Sequence, residues 1–339
     1  MDGKPFRCAL IGVGMAGDSH VRAMKKVRGA QLVAVCDSDR SRAETALAKH
    51  GVSVPIHPDL NTLFDREQID VLHIALPSSF HHDAATAAME RGVNVIAEKP
   101  LDISLDRIDA MIRIARERKV RLAGIFQNRY NPAARRVKDA IDAGRFGPIT
   151  WAGAFVLWER EPKYYQSWRG TKEIDGGGAI MNNSIHSIDL LQWMVGPIES
   201  VSAYGAARVH TKLEVEDTMT CALRFESGAL GTIVGTTGMF PGKPARIEVG
   251  GYNGTAVIEG PLKEFKFREV QAGDEEAIKP PAENADFMLG NLQAIFDAWS
   301  AARDPETNGP ECRKAVEIVL AMYESAANGG KSVACNNRH

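Results

Sequence analysis

Along its first 126 residues the chain alternates two hydrophobic patterns. Near-continuous apolar runs occupy 7–11, 31–36, 71–76, 93–97 and 121–126. Between them, at 19–28, 41–50, 60–66, 83–91 and 105–118, apolar residues recur every three or four positions. The continuous runs predict strands buried on both faces, and the spaced segments predict amphipathic helices. Their strict alternation predicts a parallel sheet covered by helices on both sides.

The pattern changes after Gln127. A helix is predicted over 132–143, ended by Gly144, and 145–148 reads as a turn. Strands with alternating faces follow at 149–158, 199–208, 217–225, 230–237, 245–250 and 254–259. One long helix, 178–194, interrupts them and is stopped by Gly196 and Pro197; helices over 285–302 and 310–327 close the chain. The charged, proline-containing segment 271–283 is expected to be an exposed loop. The expected fold class is α/β: an N-terminal Rossmann domain with a doubly wound parallel sheet over 1–127, then an α+β domain over 128–339. The second domain is built on a large, mostly antiparallel open sheet.

Charge and cysteine usage exclude several functions. Among 339 residues, 41 basic side chains stand against 43 acidic ones, for a net charge of -2. This gives no reason to expect nucleic acid or a membrane as partner. No apolar run approaches the length of a spanning helix. Cys8, Cys36, Cys221, Cys312 and Cys335 form no C-x-x-C pair, so no metal site is expected. Such thiols suit a reducing compartment, and the protein is expected in the cytoplasm.

The chemistry begins at the end of the first strand. Gly12-Val13-Gly14-Met15-Ala16-Gly17 lies between a strand and a helix, as a dinucleotide fingerprint requires. Gly12 permits the turn, Gly14 admits the pyrophosphate, and Gly17 lets helix and strand pack closely. The helix start at Met15 and Ala16 offers N–H groups to the phosphates. Asp37 ends the second strand, where a carboxylate binds the adenosine ribose and repels a 2′-phosphate. NAD is therefore the expected cofactor; Ser38 and Arg40 keep NADP as an alternative. Leu76, Pro77 and His81 follow the third long run, and Glu98, Lys99 and Pro100 the next.

These motifs, with Gly176-Gly177-Gly178 followed by His186 and Asp189, occur in an order that resembles the glucose–fructose oxidoreductase, inositol dehydrogenase and MocA family. The late segment from Asn308 to Ser325 resembles it too, so the likeness covers nearly the whole chain. The resemblance implies hydride transfer between a nicotinamide and a hydroxyl-bearing carbon of a sugar, sugar derivative or cyclitol. It implies that Lys99 contacts cofactor and substrate, with Glu98 beside it, that Pro100 follows a cis bond, and that His186 is the acid/base. It also assigns Gln127 to the nicotinamide, Asn128 and Arg129 to the substrate, and Trp168 and Arg169, after Tyr165, to cofactor and substrate contacts. One departure stands out. Inositol-dehydrogenase-like members carry Asp four residues before the histidine, whereas Asn182 stands here. That is similar to the branch acting on nucleotide-linked or otherwise substituted hexoses.

On the residues themselves, His186 suits proton transfer because histidine titrates near neutrality. Its bland alternative is a core histidine satisfied by Asp189, which would also orient its ring. Lys99 can hold a substrate oxygen and stabilise alkoxide character. Asn182, one turn before His186, can orient a hydroxyl without taking its proton. Tyr164, Tyr165 and Trp168 offer faces for a sugar ring. His20, His50, His57 and His210 lack partners at ligand spacing and read as incidental. The expected activity is that of an NAD(P)-dependent dehydrogenase or reductase, with substrate over the nicotinamide between Lys99 and His186. The alternatives are an NAD-dependent glycosidase working through transient C3 oxidation, and a non-catalytic dinucleotide sensor. An open sheet face is expected to pair subunits into a homodimer or homotetramer.

Overall fold

The structure is a computed structural model describing residues 4–277 and 285–335. It divides into two compact units: the chain through Gln127 with Asp286–Arg313, and Asn128–Ala285 with the stretch from Lys314.

The first unit holds strands β1 (Phe6–Ile11), β2 (Ala30–Cys36), β3 (Ile56–His57), β4 (Val71–Ile74), β5 (Asn94–Ala97) and β6 (Leu122–Gly124). They form one parallel sheet in the order β3-β2-β1-β4-β5-β6. Helices α1 (Met15–Met24), α2 (Arg40–His50), α3 (Leu60–Arg66), α4 (His81–Met89) and α5 (Leu105–Arg118) alternate with the strands. This is the expected Rossmann architecture. Its strand order reverses between β1 and β4, which opens a ligand crevice beyond their carboxyl ends. Cys8, Leu10, Val35, Val71 and Ile96 are buried, as the continuous apolar runs require. The short β3 escapes the hydrophobic pattern because two residues carry no period.

One expectation about organisation is corrected. Periodicity alone puts the helix over 285–302 in the second domain. The observed helix, Phe287–Ser300, belongs to the first unit, where Leu292, Ile295, Phe296 and Trp299 join the core around Cys8, Leu10 and Val71. The Phe296 ring lies 5.5 Å from Phe6 and 5.9 Å from Trp299. An amphipathic stripe records that a helix is buried, not which sheet receives it.

The second unit opens with α6 (Pro132–Asp142), whose Asn131 cap accepts the Ala133 N–H at 2.9 Å. Its strands are β7 (Ile149–Leu157), β8 (Ile198–Ala206), β9 (Thr218–Phe225), β10 (Leu230–Thr236), β11 (Arg246–Gly251), β12 (Gly254–Glu259), β13 (Leu262–Phe267) and β14 (Val333–Ala334). They form one sheet in the order β13-β12-β11-β7-β10-β9-β8-β14, antiparallel except where β7 meets β10. The expected helix over 178–194 is two pieces: a π-helical stretch, Ala179–Ser184, and α7 (Ile185–Val195), which packs against β7. In β9, Met219, Cys221, Leu223 and Phe225 point inward and the intervening residues outward.

The expected loop 271–283 is corrected where it is described. Asp274–Ala277 is a short helix, α8, and Asp274 is buried against Arg145, with both N–O distances 2.8 Å. Residues 278–284 lie outside the described residues. The chain continues through α9 (Phe287–Ser300) and α10 (Gly309–Ala327). Among the described residues no helix is long and apolar enough to cross a membrane.

The buried Phe296 gives a direct test of where α9 packs. Phe296→Ala should lower the unfolding free energy by about 3–5 kcal/mol, read by urea denaturation. Phe240→Ala, at an exposed ring, should change it by less than about 0.5 kcal/mol.

Candidate active site

In the first unit the dinucleotide cradle is built by backbone geometry. Gly12 has φ of +84° and donates its N–H to the Cys36 carbonyl at 2.9 Å. A side chain there would strike the Ala75 carbonyl. Gly14 caps α1 and faces open space, so a diphosphate can reach the backbone. A Cβ on Gly17 would fall on the Gly12 carbonyl oxygen, so only glycine lets α1 lie this close to β1. Met15 is exposed and Ala16 half-buried at the helix start. These features fit the phosphates of a dinucleotide.

Asp37 is buried and pinned from several sides. Its carboxylate accepts the N–H groups of Val13 at 2.7 Å and Asp39 at 2.9 Å. Arg42 adds its Nη2 at 2.5 Å and its Nε at 3.3 Å. Burial pushes the Asp37 carboxyl up, but the Arg42 guanidinium and the two N–H groups outweigh it and hold it below its ordinary value. The guanidinium at this acid is therefore Arg42, not the expected Arg40, which lies exposed and pairs with Glu44 at 2.8 Å. Ser38 is exposed.

At the next strand ends, His81 and Glu98, both expected at the cofactor, brace the loops around Lys99. The His81 ring is buried, with Nδ1 2.8 Å from the Pro100 carbonyl and Nε2 2.8 Å from that of Leu76. It ties the loop of Leu76 and Pro77 to the loop after Lys99, with both nitrogens spent on backbone. Glu98 is buried as well. It meets His20 Nε2 at 3.2 Å and accepts the Lys99 N–H at 3.2 Å. His20 Nδ1 is 3.1 Å from His73 Nδ1, and burial, then the His20 charge, hold His73 well below its ordinary pKa. His20, read as incidental, thus anchors the residue before Lys99. Lys99 is half-buried at the strand end, and the Lys99–Pro100 bond is cis. The Gln127 Oε1 is buried and accepts nothing among the described residues, which suits an amide donor.

In the second unit a buried acid holds the helix that carries His186. The Glu216 carboxylate accepts the N–H groups of Ile180 at 2.8 Å and Gly178 at 3.2 Å, and the Tyr323 hydroxyl at 3.1 Å. A Cβ on Gly177 would strike that hydroxyl, and one on Gly178 would strike the Glu216 carbonyl. Gly177 and Gly178 are thus the space in which Glu216 and Tyr323 clasp the π-helical turn. Burial pushes the Glu216 carboxyl up to about 7 against the pull of its donors. Asn182 lies on this turn. Its amide donates to both oxygens of buried Asp175, at 2.7 and 3.0 Å. A carboxylate therefore stands behind the amide that replaces the expected acid.

Burial bears on Arg129. Arg129, expected at the substrate, is fully buried, with Nε 2.8 Å and Nη2 2.5 Å from the two Asp189 oxygens. A buried charge must be paired, and this bidentate pair is committed to the interior. Asp189 thus serves Arg129, through both of its oxygens. Asn128, before Arg129, and His186 itself are half-buried.

The expected aromatic residues lie together. Tyr164 and Tyr165 meet edge to face at 5.0 Å, and the Tyr165 hydroxyl lies 2.7 Å from Thr237 Oγ1. Burial pushes the Tyr165 phenol up to about 12, so it stays neutral. Arg169 lies over Tyr164 at 5.0 Å and over half-buried Trp168 at 4.9 Å. Arg160, which the sequence did not single out, lies over Tyr164 at 5.1 Å and reaches Asn183 Oδ1 at 3.4 Å.

The sequence of the first unit matches, over residues 6–126, the family described as "Oxidoreductase family, NAD-binding Rossmann fold". Residues 134–257 match the "GFO/IDH/MocA C-terminal domain". The WlbA dehydrogenase from Bordetella pertussis, crystallised with NADH and UDP-GlcNAcA, is 31% identical with a TM-score of 0.89, and the likeness covers 98% of each chain. A D-apiose dehydrogenase from Paraburkholderia graminis is 26% identical, covering 96% of this chain and 89% of its own. A scyllo-inositol 2-dehydrogenase (NAD(+)) from Bacillus subtilis is 30% identical over 74% of this chain and 73% of its own.

The Glu216 clasp gives a pH signature. Because its folded pKa is raised, the wild-type protein should lose stability as pH rises from about 4.5 to about 7. Glu216→Gln keeps an acceptor oxygen without the charge. The difference between the two proteins should grow over this window to on the order of 3 kcal/mol, read as melting temperature against pH.

Proposed function

From the premise that this chain belongs to the Gfo/Idh/MocA oxidoreductase family, we propose that Lys99 and His186 perform its chemistry. The protein is an NAD-dependent oxidoreductase that moves a hydride between the nicotinamide and a secondary alcohol or ketone of a sugar, sugar derivative or cyclitol. When bound, the nicotinamide supplies the hydride acceptor or donor; the chain supplies everything else. The glycine cradle with Met15 and Ala16 holds the phosphates, Asp37 and Arg42 the adenosine ribose, and Gln127 the nicotinamide amide. Lys99 holds the substrate oxygen and stabilises negative charge on it. His186 takes the hydroxyl proton as the alcohol is oxidised and returns it on reduction. Asn182, oriented by Asp175, donates or accepts at a neighbouring hydroxyl. Tyr165, Trp168 and Arg169 wall the sugar, with Asn128 beside them.

The observation that carries this reading is the paired support. His20 and Glu98 fix the backbone at Lys99, and Glu216 with Tyr323 fixes the turn that leads to His186. A protein that only sensed dinucleotide would have no use for the second clasp. The substrate is narrowed by Asn182, which stands where inositol-type enzymes place an acid. Together with the 31% identity to a dehydrogenase crystallised with UDP-GlcNAcA, it favours a substituted, nucleotide-linked hexose. A screen of cyclitols, free sugars and nucleotide-linked sugars, followed at the reduced-nicotinamide absorbance, should show turnover of the last class. Lys99→Ala and His186→Ala should each lower kcat/KM by about 10²-fold or more while NAD still binds. Unchanged turnover in either variant defeats the assignment.

We also propose a cytoplasmic homo-oligomer. The five cysteines are buried free thiols, as a reducing compartment allows. On the outer face of β7, Trp151 and Phe155 close over Gly153, a flat surface suited to a second copy. Light scattering should give a dimer or tetramer, and Gly153→Arg should dissociate it; a wild-type monomer refutes the reading.

A further inference from the structure

The second unit has an open pocket of about 480 Å³ that the reaction as described does not use. It lies where the chain leaves β7 and β10, and Trp158, Glu159, Arg160, Pro241, Lys243 and Pro244 line it. That volume is within the range of roughly 300–1,000 Å³ typical of small-molecule sites. Its walls are fixed by backbone hydrogen bonds. Trp158 donates to the Thr236 carbonyl at 2.9 Å, Arg160 to Thr237 at 2.8 Å, Lys243 to Leu157 at 2.7 Å, and Met239 to Trp158 at 3.0 Å. The pocket therefore exists before any ligand enters.

Its charge is unbalanced. Neither Arg160 nor Lys243 has a carboxylate within ion-pair distance among the described residues, although Glu159 is close in sequence. The neighbouring acid Glu161 is taken by Lys163, at 2.6 Å. Arg160 is also held in place. Its guanidinium lies 4.7 Å over the Trp158 ring and 5.1 Å over Tyr164, and its Nε points at Asn183. Only Nε is spent there, so the two terminal nitrogens are left to bind an oxyanion. A rigid fork of this kind matches phosphate oxygens and loses little freedom on binding.

Position completes the argument. Asn183 directly follows Asn182 on the π-helical turn, so Arg160 joins the pocket to the turn that bears the sugar-binding amide. We propose that this pocket binds the diphosphate of a nucleoside-diphosphate sugar, with Arg160 and Lys243 on the phosphate oxygens and the nucleoside lying along Trp158 and the prolines. This rests on the reading of the substrate as a nucleotide-linked hexose. Two cations against one exposed acid fit a dianion better than a neutral sugar, and the indole gives a base a surface to lie on. Lys243 is exposed and can be removed without disturbing the fold.

Calorimetry with uridine diphosphate as the probe, on protein saturated with NAD so that the first unit is filled, tests the pocket apart from turnover. Uridine diphosphate should bind the wild type, and Lys243→Ala should weaken it at least tenfold with an unchanged melting temperature. Pyrophosphate should bind measurably and uridine alone should not. The proposal is overturned if the wild type does not bind the probe, if Lys243→Ala binds it as well, or if uridine binds as tightly as the diphosphate. The same two proteins assayed across cyclitols, free sugars and nucleotide-linked sugars separate the readings. Turnover of any of these with no diphosphate binding keeps the hydride transfer and removes the pocket, whereas diphosphate binding with no dehydrogenation of any of them keeps the pocket and removes the hydride transfer.

Discussion

Each unit starts its site-bearing helix where two backbones meet with no room for a side chain. In the first, α1 approaches the turn after β1 so closely that a Cβ on Gly17 would overlap the Gly12 carbonyl oxygen. In the second, Gly178 lies against the Glu216 carbonyl in the same way. The rest of each site depends on these approaches. The first aims the N–H groups of α1 at the dinucleotide phosphates, and the second brings the N–H groups of Gly178 and Ile180 onto the Glu216 carboxylate. A methyl group at either point would displace the helix by more than the few tenths of an ångström that a reacting site tolerates.

Buried charge is the second constraint. Buried carboxylates in both units are committed to nearby donors: Asp37 to Arg42, Glu98 to His20, Asp189 to Arg129, Asp175 to Asn182, and Glu216 to Ile180 and Tyr323. Desolvated charges left unpaired would cost several kcal/mol each. The pairings also sort the polar residues by role. Arg129 and Asp189 neutralise each other and stiffen the interior beneath α7. Asp175 fixes which end of the Asn182 amide is the donor, so the exchange of acid for amide at 182 moves the negative charge back by one residue's reach rather than abolishing it.

Much of this was legible in the sequence, for identifiable reasons. The Rossmann unit announced itself because its strands are apolar at every position and its glycines have fixed spacing. Asp37, Lys99 and His186 stood out as candidates because each sits at a recognisable strand end or helix. The misses are pairings. Arg42 turns back onto Asp37 from the helix that follows it, and Glu216 and Tyr323 come to the glycine-rich turn from segments 38 and 142 residues away. His20 and Glu98 are 78 residues apart. Periodicity reports burial and says nothing of partners, so the Arg129–Asp189 pair was invisible to it and α9 looked like part of the wrong unit.

The placement of α9 bears on how the protein is made. The first unit is assembled from two stretches of chain separated by about 158 residues, and Leu292, Ile295, Phe296 and Trp299 reach its core only with the second stretch. During synthesis the nucleotide-binding sheet emerges from the ribosome early, with one flank of its core still uncovered. It stays so while the whole eight-stranded sheet except its last short strand is translated. The nucleotide-binding unit is thus begun before the second unit, and the last of its core arrives only after nearly all of the second unit's sheet has been made.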